Sequence, residues 1–286
     1  MISLVKRNLI RYFRHRSGVF FSLLGALISF VLYIIFLKNN MVQNWSAVTQ
    51  SSQLLDSWLI GGTLSVTAIT TTLTGLDPIV TDRVHGTLDD FYLTDISQNE
   101  IKTAYVLSAA TIGFCMQLFM LVVMFVYFIL TDHIQFPWNR LMAIMLLALL
   151  SSIFMSVINL LVIQFVDRVD TMGKLATIIG TAAGFLVGTY VPIGALPVFA
   201  QDLVKLNPGT YIASLYRHLL MDQQLRISFA ASSQQLHTFK ETMGIGLKWQ
   251  QLTTFNQDYS IVLTMLTIGI LLLLLSTIFK KQLKIS

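Results

Sequence analysis

Residues 104–130 read AYVLSAATIGFCMQLFMLVVMFVYFIL. No Asp, Glu, Lys, Arg or His interrupts these 27 residues. At about 1.5 Å per residue, a helix of this length exceeds the roughly 30 Å of a bilayer's hydrocarbon core. Lipid offers the backbone no hydrogen-bonding partner, so such a run must be helical; barrel strands would be shorter and would alternate apolar with polar residues. Five more charge-free runs lie on either side, at 19–37, 59–76, 141–166, 175–191 and 261–279. The chain is therefore read as an all-α polytopic membrane protein with six transmembrane helices in a single domain over 1–286. The first run outlasts a signal-peptide core and no small-residue cleavage site follows Leu37, so it is read as a retained span.

Composition agrees, with 55% hydrophobic and 12% charged residues and a mean hydropathy of +0.70, which a soluble globule of this size could not tolerate on its surface. Of the 19 Lys and Arg residues, 12 fall in segments 1–18, 77–103, 167–174 and 280–286, and the other seven in 38–58, 131–140 and 192–260. Basic residues collect on the cytoplasmic side, which predicts both termini inside. Lys6, Arg7, Arg11, Arg14 and Arg16, with Lys280, Lys281 and Lys284, then lie against anionic headgroups and account for the net charge of +5 without a nucleic-acid partner.

Catalytic chemistry finds little support. The one cysteine, Cys115, falls inside the third run, and the five histidines have no metal-ligand spacing. No serine elbow and no G-x-x-x-x-G-K-[ST] phosphate loop occurs. The chain is expected to bind no metal, to bind no nucleotide through such a loop, and not to be an enzyme.

Two segments on the predicted inner side carry more information. In residues 1–18, Leu4, Val5, Leu9, Tyr12 and Phe13 recur at helical intervals among Lys6, Arg7, Arg11 and Arg14, the pattern of a basic amphipathic helix lying in the membrane interface. Between the second and third runs, Asp77-Pro78 marks an expected helix end. Thr81 or Asp82 then serves as a candidate N-cap for a short helix with Val84, Leu88 and Phe91 on one face and Tyr92 beside them. Ser97-Gln98-Asn99-Glu100 reads as a capping box that opens the third span.

The stretch from Asp82-Arg83-Val84-His85-Gly86-Thr87-Leu88 through Leu93-Thr94-Asp95-Ile96-Ser97 resembles the corresponding pattern in the type-2 permeases of ATP-binding-cassette (ABC) exporters. Leu196-Pro197 and Leu206-Asn207-Pro208, followed by Tyr211, resemble that family's Leu-Pro and Asn-Pro elements. Asp82 stands where the family commonly has Glu, and Asp95 replaces the usual proline after Thr94. The resemblance implies that residues 77–97 form a cytoplasmic coupling segment docking on a separate ATPase subunit, which would hold ATP and Mg. Leu88 and Phe91 would then dock, Arg83 and Asp90 would set polar register, and Asp82 and Tyr92 would complete the surface. It also implies a second permease chain, identical or related, and a bacterial plasma-membrane location.

Within the spans, Gly180, Gly184 and Gly188 repeat every fourth residue, a stripe suited either to intrachain packing or to a dimer contact. Thr63, Thr67, Thr70 and Thr74 give the second span a hydroxyl face. With Ser152, Ser156 and Asn159 of the fourth span they are candidates for the translocation path, although Thr can also bond back to its own helix. No ionisable group lies near the centre of any span, whereas ion-coupled carriers generally keep one there. The expected function is export of a hydrophobic or amphipathic compound, such as a drug, antibiotic, peptide or toxin, powered by the partner's ATP. A self-sufficient carrier or channel is the alternative, and a membrane-embedded enzyme a lesser one. On the outer side, residues 192–260 predict two short re-entrant helices, Val198 to Leu206 and Tyr211 to Leu220, broken at Asn207-Pro208-Gly209. Leu196, Pro197, Asn207 and Pro208 would form an outer gate, followed by an exposed polar loop over 222–258.

Overall fold

Ser51–Gly75, the helix labelled α5 below, has neighbours on nearly every side, and the other helices are arranged around it. The structure, a computed structural model, describes residues 1–93, 96–230 and 232–283. Thr94, Asp95 and Lys284, and the side chains of Tyr92, Lys280 and Lys281, lie outside what is described.

In chain order the first helices are α1 (Ile2–Arg14), α2 (Arg16–Ser22), α3 (Leu24–Leu32), a π turn at Tyr33–Leu37, α4 (Lys38–Asn44), α5 (Ser51–Gly75), α6 (Asp77–Val84) and α7 (Thr87–Tyr92). There follow α8 (Gln98–Asp132), α9 (Leu141–Ile163), α10 (Val169–Leu186), α11 (Val198–Leu206), α12 (Pro208–Ser228), α13 (Ser233–Met243) and α14 (Phe255–Leu283). Among the described residues the only β-type pairing is an isolated bridge between Lys248 and Leu252.

Small residues explain why α5 can sit at the centre. A Cβ on Gly75 would stand 3.1 Å from the Cα of Ala109 in α8, and one on Gly61 would stand 3.0 Å from Arg217 in α12. Both neighbours approach the bare backbone, the packing that small residues permit between membrane helices. The apolar window of the continuous stretch Ser51–Val84 is 89% buried, against 11% for that of α14. α14 is therefore a peripheral helix whose leucines face outward.

Among the described residues, five helices are long and apolar enough to cross a membrane: Leu24–Asn44, Ser51–Val84, Gln98–Asp132, Trp138–Ile163 and Phe255–Ser276. The fifth apolar run, 175–191, departs from expectation because its helix α10 stops at Leu186. Gly188 takes a φ of +67°, and the amides of Thr189 and Tyr190 turn back to the carbonyl of Gly184 at 2.8 and 3.1 Å. This left-handed glycine terminates the helix, so Gly188 is a turn residue while Gly180 and Gly184 remain helical.

Four further expectations are corrected. Asp77-Pro78 follows the end of α5 at Gly75, but the helical course resumes at once in α6, since proline is tolerated in the first turn of a helix. Thr81 and Asp82 lie inside α6 and do not cap it. The break falls instead at His85-Gly86, where Gly86 has φ +75°. On the other side, α12 runs to Ser228, eight residues past the predicted end, because its apolar face continues through Met221 and Leu225 into the core. The polar stretch beyond it also contains helix α13, capped by Ser232 and Gly244, which buries Phe239 and Met243. The capping box at Ser97 is present: its hydroxyl accepts from the Glu100 amide at 3.3 Å, and the Glu100 carboxylate accepts from the Ser97 amide at 2.9 Å.

Candidate functional site

The end of the bundle that carries α1, α6 and α7 is held together by a buried carboxylate. α1 buries Leu4, Asn8 and Tyr12, one residue per turn, and Asn8 donates to Ser108 of α8 at 3.2 Å. On the neighbouring face Arg7 pairs with Asp82, and Arg11 reaches the same carboxylate at 3.5 Å. The hydroxyl of Tyr105 in α8 also donates to Asp82. One side chain thus ties three helices together. Arg83 points the other way, donating to the Val166 carbonyl at 2.7 Å and pairing with Asp167 at 3.3 Å beyond the end of α9.

These contacts change what the α6–α7 end can present to a partner. Leu88 is buried in an apolar cluster with Leu4, Leu76 and Ile101, and half-buried Phe91 packs against that cluster beneath the Arg7 guanidinium, 5.5 Å from its ring centroid. The exposed apolar side chains are Val84, 49% exposed, and Leu93, 87% exposed, with the acids Asp89 and Asp90 also at the surface. The side chain of Tyr92 lies outside the described residues.

From this end a cleft runs into the bundle. Its mouth, about 360 Å³, is lined by Arg11, Tyr12, His15, Asp77 and Pro78. A second chamber of about 340 Å³ continues between α2–α3, α5 and α10, past Ile28, Leu73, Ala176 and Gly180. Gly18 and Thr74 line both, so the two lie side by side. The cleft passes from charged groups at its mouth to a mostly apolar interior, the surface that an amphipathic molecule would need.

Of the hydroxyl-bearing candidates, Thr70 and Thr74 line this cleft. Thr63 and Thr67 are buried within the bundle, and the hydroxyls of Thr67, Thr70 and Thr74 bond to carbonyls one turn back on α5 at 2.8 to 3.1 Å. Ser152, Ser156 and Asn159 are buried in packing: Asn159 donates to the Ile69 carbonyl and to Thr72, each at 2.9 Å, and Ser152 accepts from Gln117 at 2.6 Å. Gly180 borders the cleft, with open space where a Cβ would stand, and its carbonyl would lie 2.8 Å from a Cβ on Gly25. Gly184 is filled by the ring of Tyr190.

At the opposite end, Leu196 and Pro197 lead into α11, and Asn207 caps α12 by accepting from the Gly209 amide at 3.3 Å, with Pro208 as the first helical residue. Thr210 donates to the carbonyls of Leu186 and Val204 at 2.8 and 2.7 Å, joining the start of α12 to the ends of α10 and α11. Close by is Arg217, which sequence reasoning passed over. It is fully buried, lies over Trp58 at 4.9 Å, and donates to the carbonyls of Gly188 and Gly244 at 2.9 and 3.3 Å. Its partners come from three distant segments, so no local spacing could have announced them. Among the described residues no group of three His, Cys, Asp or Glu is placed to hold a metal ion.

The described residues thus form a helical bundle with membrane-length apolar helices, short helices beside its α1 end and a cleft at that end. The chain belongs to the ABC-2 type transporter family, whose model matches residues 1–221. It is accordingly the membrane component of an ABC transporter. The match includes α1 to α11 and most of α12, and leaves out α13 and α14. Comparison with curated proteins and with solved structures gives no match.

Proposed function

We propose that this chain is the permease subunit of an ABC exporter that moves a hydrophobic or amphipathic compound outward across the plasma membrane, with ATP and Mg bound by a separate cytoplasmic ATPase. The observation that carries this reading is the cleft. It opens beside Arg11, His15 and Asp77 and continues as an apolar chamber along Thr70, Leu73 and Gly180. The α6–α7 end faces the ATPase, with Val84 and Leu93 as its apolar contacts and Asp89 and Asp90 as its polar rim. A second permease copy, or a related chain, completes the path. Six crossings with both termini inside, α10 among them, and α11 and the start of α12 as the outer gate fit the distribution of basic residues.

Gly180 supplies a direct test, because a side chain there enters open space and not the core. In proteoliposomes containing the chain and its ATPase, Gly180→Leu is expected to abolish ATP-driven transport of a fluorescent amphipathic drug while assembly and ATP binding persist. Unchanged transport in that variant would place the path elsewhere. Transport by the permease without any ATPase would favour a self-sufficient carrier.

A further inference from the structure

At the end of the bundle away from α1 and α7 lies a second cavity, of about 730 Å³, between the start of α5, the α8–α9 connection and the C-terminal half of α12. It shares no residue with the cleft, and its volume falls within the roughly 300–1,000 Å³ typical of ligand sites. Six of its sixteen wall residues carry carboxamides. Gln50, Gln135, Asn139 and Gln223 have no side-chain hydrogen-bond partner within the described residues, whereas Gln53 and Gln224 are anchored to the Asp132 carbonyl and to Ser57.

The indole of Trp138 is 76% exposed and stands on an aromatic pedestal, 4.7 Å from Phe136, which in turn lies 4.6 Å from Phe125. The charges in the wall are closed among themselves: Asp222 accepts from Arg140 at 3.0 Å and from Arg226 at 3.2 Å. The backbone adds an independent observation. Among the described residues the only non-glycine positions with positive φ are Gln50, at 58°, and His133, at 54°, and both line this cavity. Both are helix-cap residues, Gln50 before α5 and His133 after α8, so the cavity forms where these two helices end.

We infer that this cavity is a saccharide-binding site. Each carboxamide both donates and accepts, as does each sugar hydroxyl, and a rigid exposed indole offers a face to the C–H side of a pyranose ring. A phosphate would meet guanidiniums already shared with Asp222, and an apolar ligand would strip water from four carboxamides without replacing their hydrogen bonds. The saccharide comes either as a free oligosaccharide or as the headgroup of a glycolipid in the adjacent leaflet; the recognising chemistry is the same.

The full chain in phosphatidylcholine nanodiscs, titrated with maltotriose and chitotriose, tests the free form. Nanodiscs doped with diglucosyl diacylglycerol test the headgroup form. Saturable binding by calorimetry, with a change in tryptophan emission that disappears in Trp138→Phe, is expected in at least one arm. Gln223→Ala and Trp138→Ala should each weaken it about tenfold or more; both side chains are exposed, so assembly should be kept. Binding of a trisaccharide identifies a free ligand, and binding of the glycolipid alone identifies a headgroup. Absence of saturation in both arms, retention of affinity in both alanine variants, or a response only to phosphatidylglycerol would overturn the inference.

Discussion

Asp82 is drawn inward by three donors from two other helices, Arg7 and Arg11 of α1 and Tyr105 of α8. Removing the carboxylate leaves the buried hydroxyl of Tyr105 without its acceptor and releases α1. Asp82→Ala is expected to cost about 1–3 kcal/mol, the usual range for a buried polar group left unpaired, read as a lower thermal midpoint in detergent. Asp82→Glu keeps the charge and should keep most of that stability. Loosening α1 should also reduce ATP-driven transport more than it reduces ATP hydrolysis, which parallel assays would separate. At Gly75 the constraint is steric: a side chain there meets the Ala109 backbone at 3.1 Å. Gly75→Val should destabilise by about 1–3 kcal/mol, as overpacking does, and a depressed unfolding midpoint would register it.

At the scale of whole elements, the ends of the first three spans remote from α1 are clipped together by Lys38. Its ammonium lies 2.9 Å from Asp56 and 2.6 Å from Asp132, and Tyr33 donates to Asp56 at 2.9 Å. Asp56 is fully buried, so Lys38→Met strands a carboxylate, at a cost of about 3–5 kcal/mol for breaking a buried pair. Thermal unfolding should show the loss, and the double variant Lys38→Met, Asp56→Leu should recover much of it. This clip illustrates what the sequence alone conveyed. Four of the six apolar runs lie almost wholly within single helices because hydrophobic length is a local property, and the Ser97–Glu100 box was legible because its partners are three residues apart. Asp56 and Arg217 were not legible, because each finds its partners on elements distant in sequence. The inward turn of Asp82 was hidden for the same reason. Helix α13 escaped because its exposed face is polar and only Phe239 and Met243 reach the core.

On the scale of the molecule, the proposed second copy completes the cleft and brings two α10 helices together. Thr181 is exposed on α10, and the single cysteine, Cys115, is exposed on α8. Thr181→Cys in a Cys115→Ser background is expected to form a cross-linked dimer in oxidised membranes, while Cys115 alone should give none; electrophoresis without reductant distinguishes them. The back-bonded threonines of α5 carry a further consequence, for biogenesis. α5 leaves the ribosome before α8, α9, α12 and α14, yet it belongs to the least apolar of the five spans, with a mean hydropathy of 1.3 against 2.4 and 2.6 for those containing α8 and α9. A nascent hub must meet lipid before its neighbours exist to cover it. Because Thr67, Thr70, Thr71, Thr72 and Thr74 satisfy their hydroxyls on their own helix, these five groups need no later helix to cover them when α5 enters lipid.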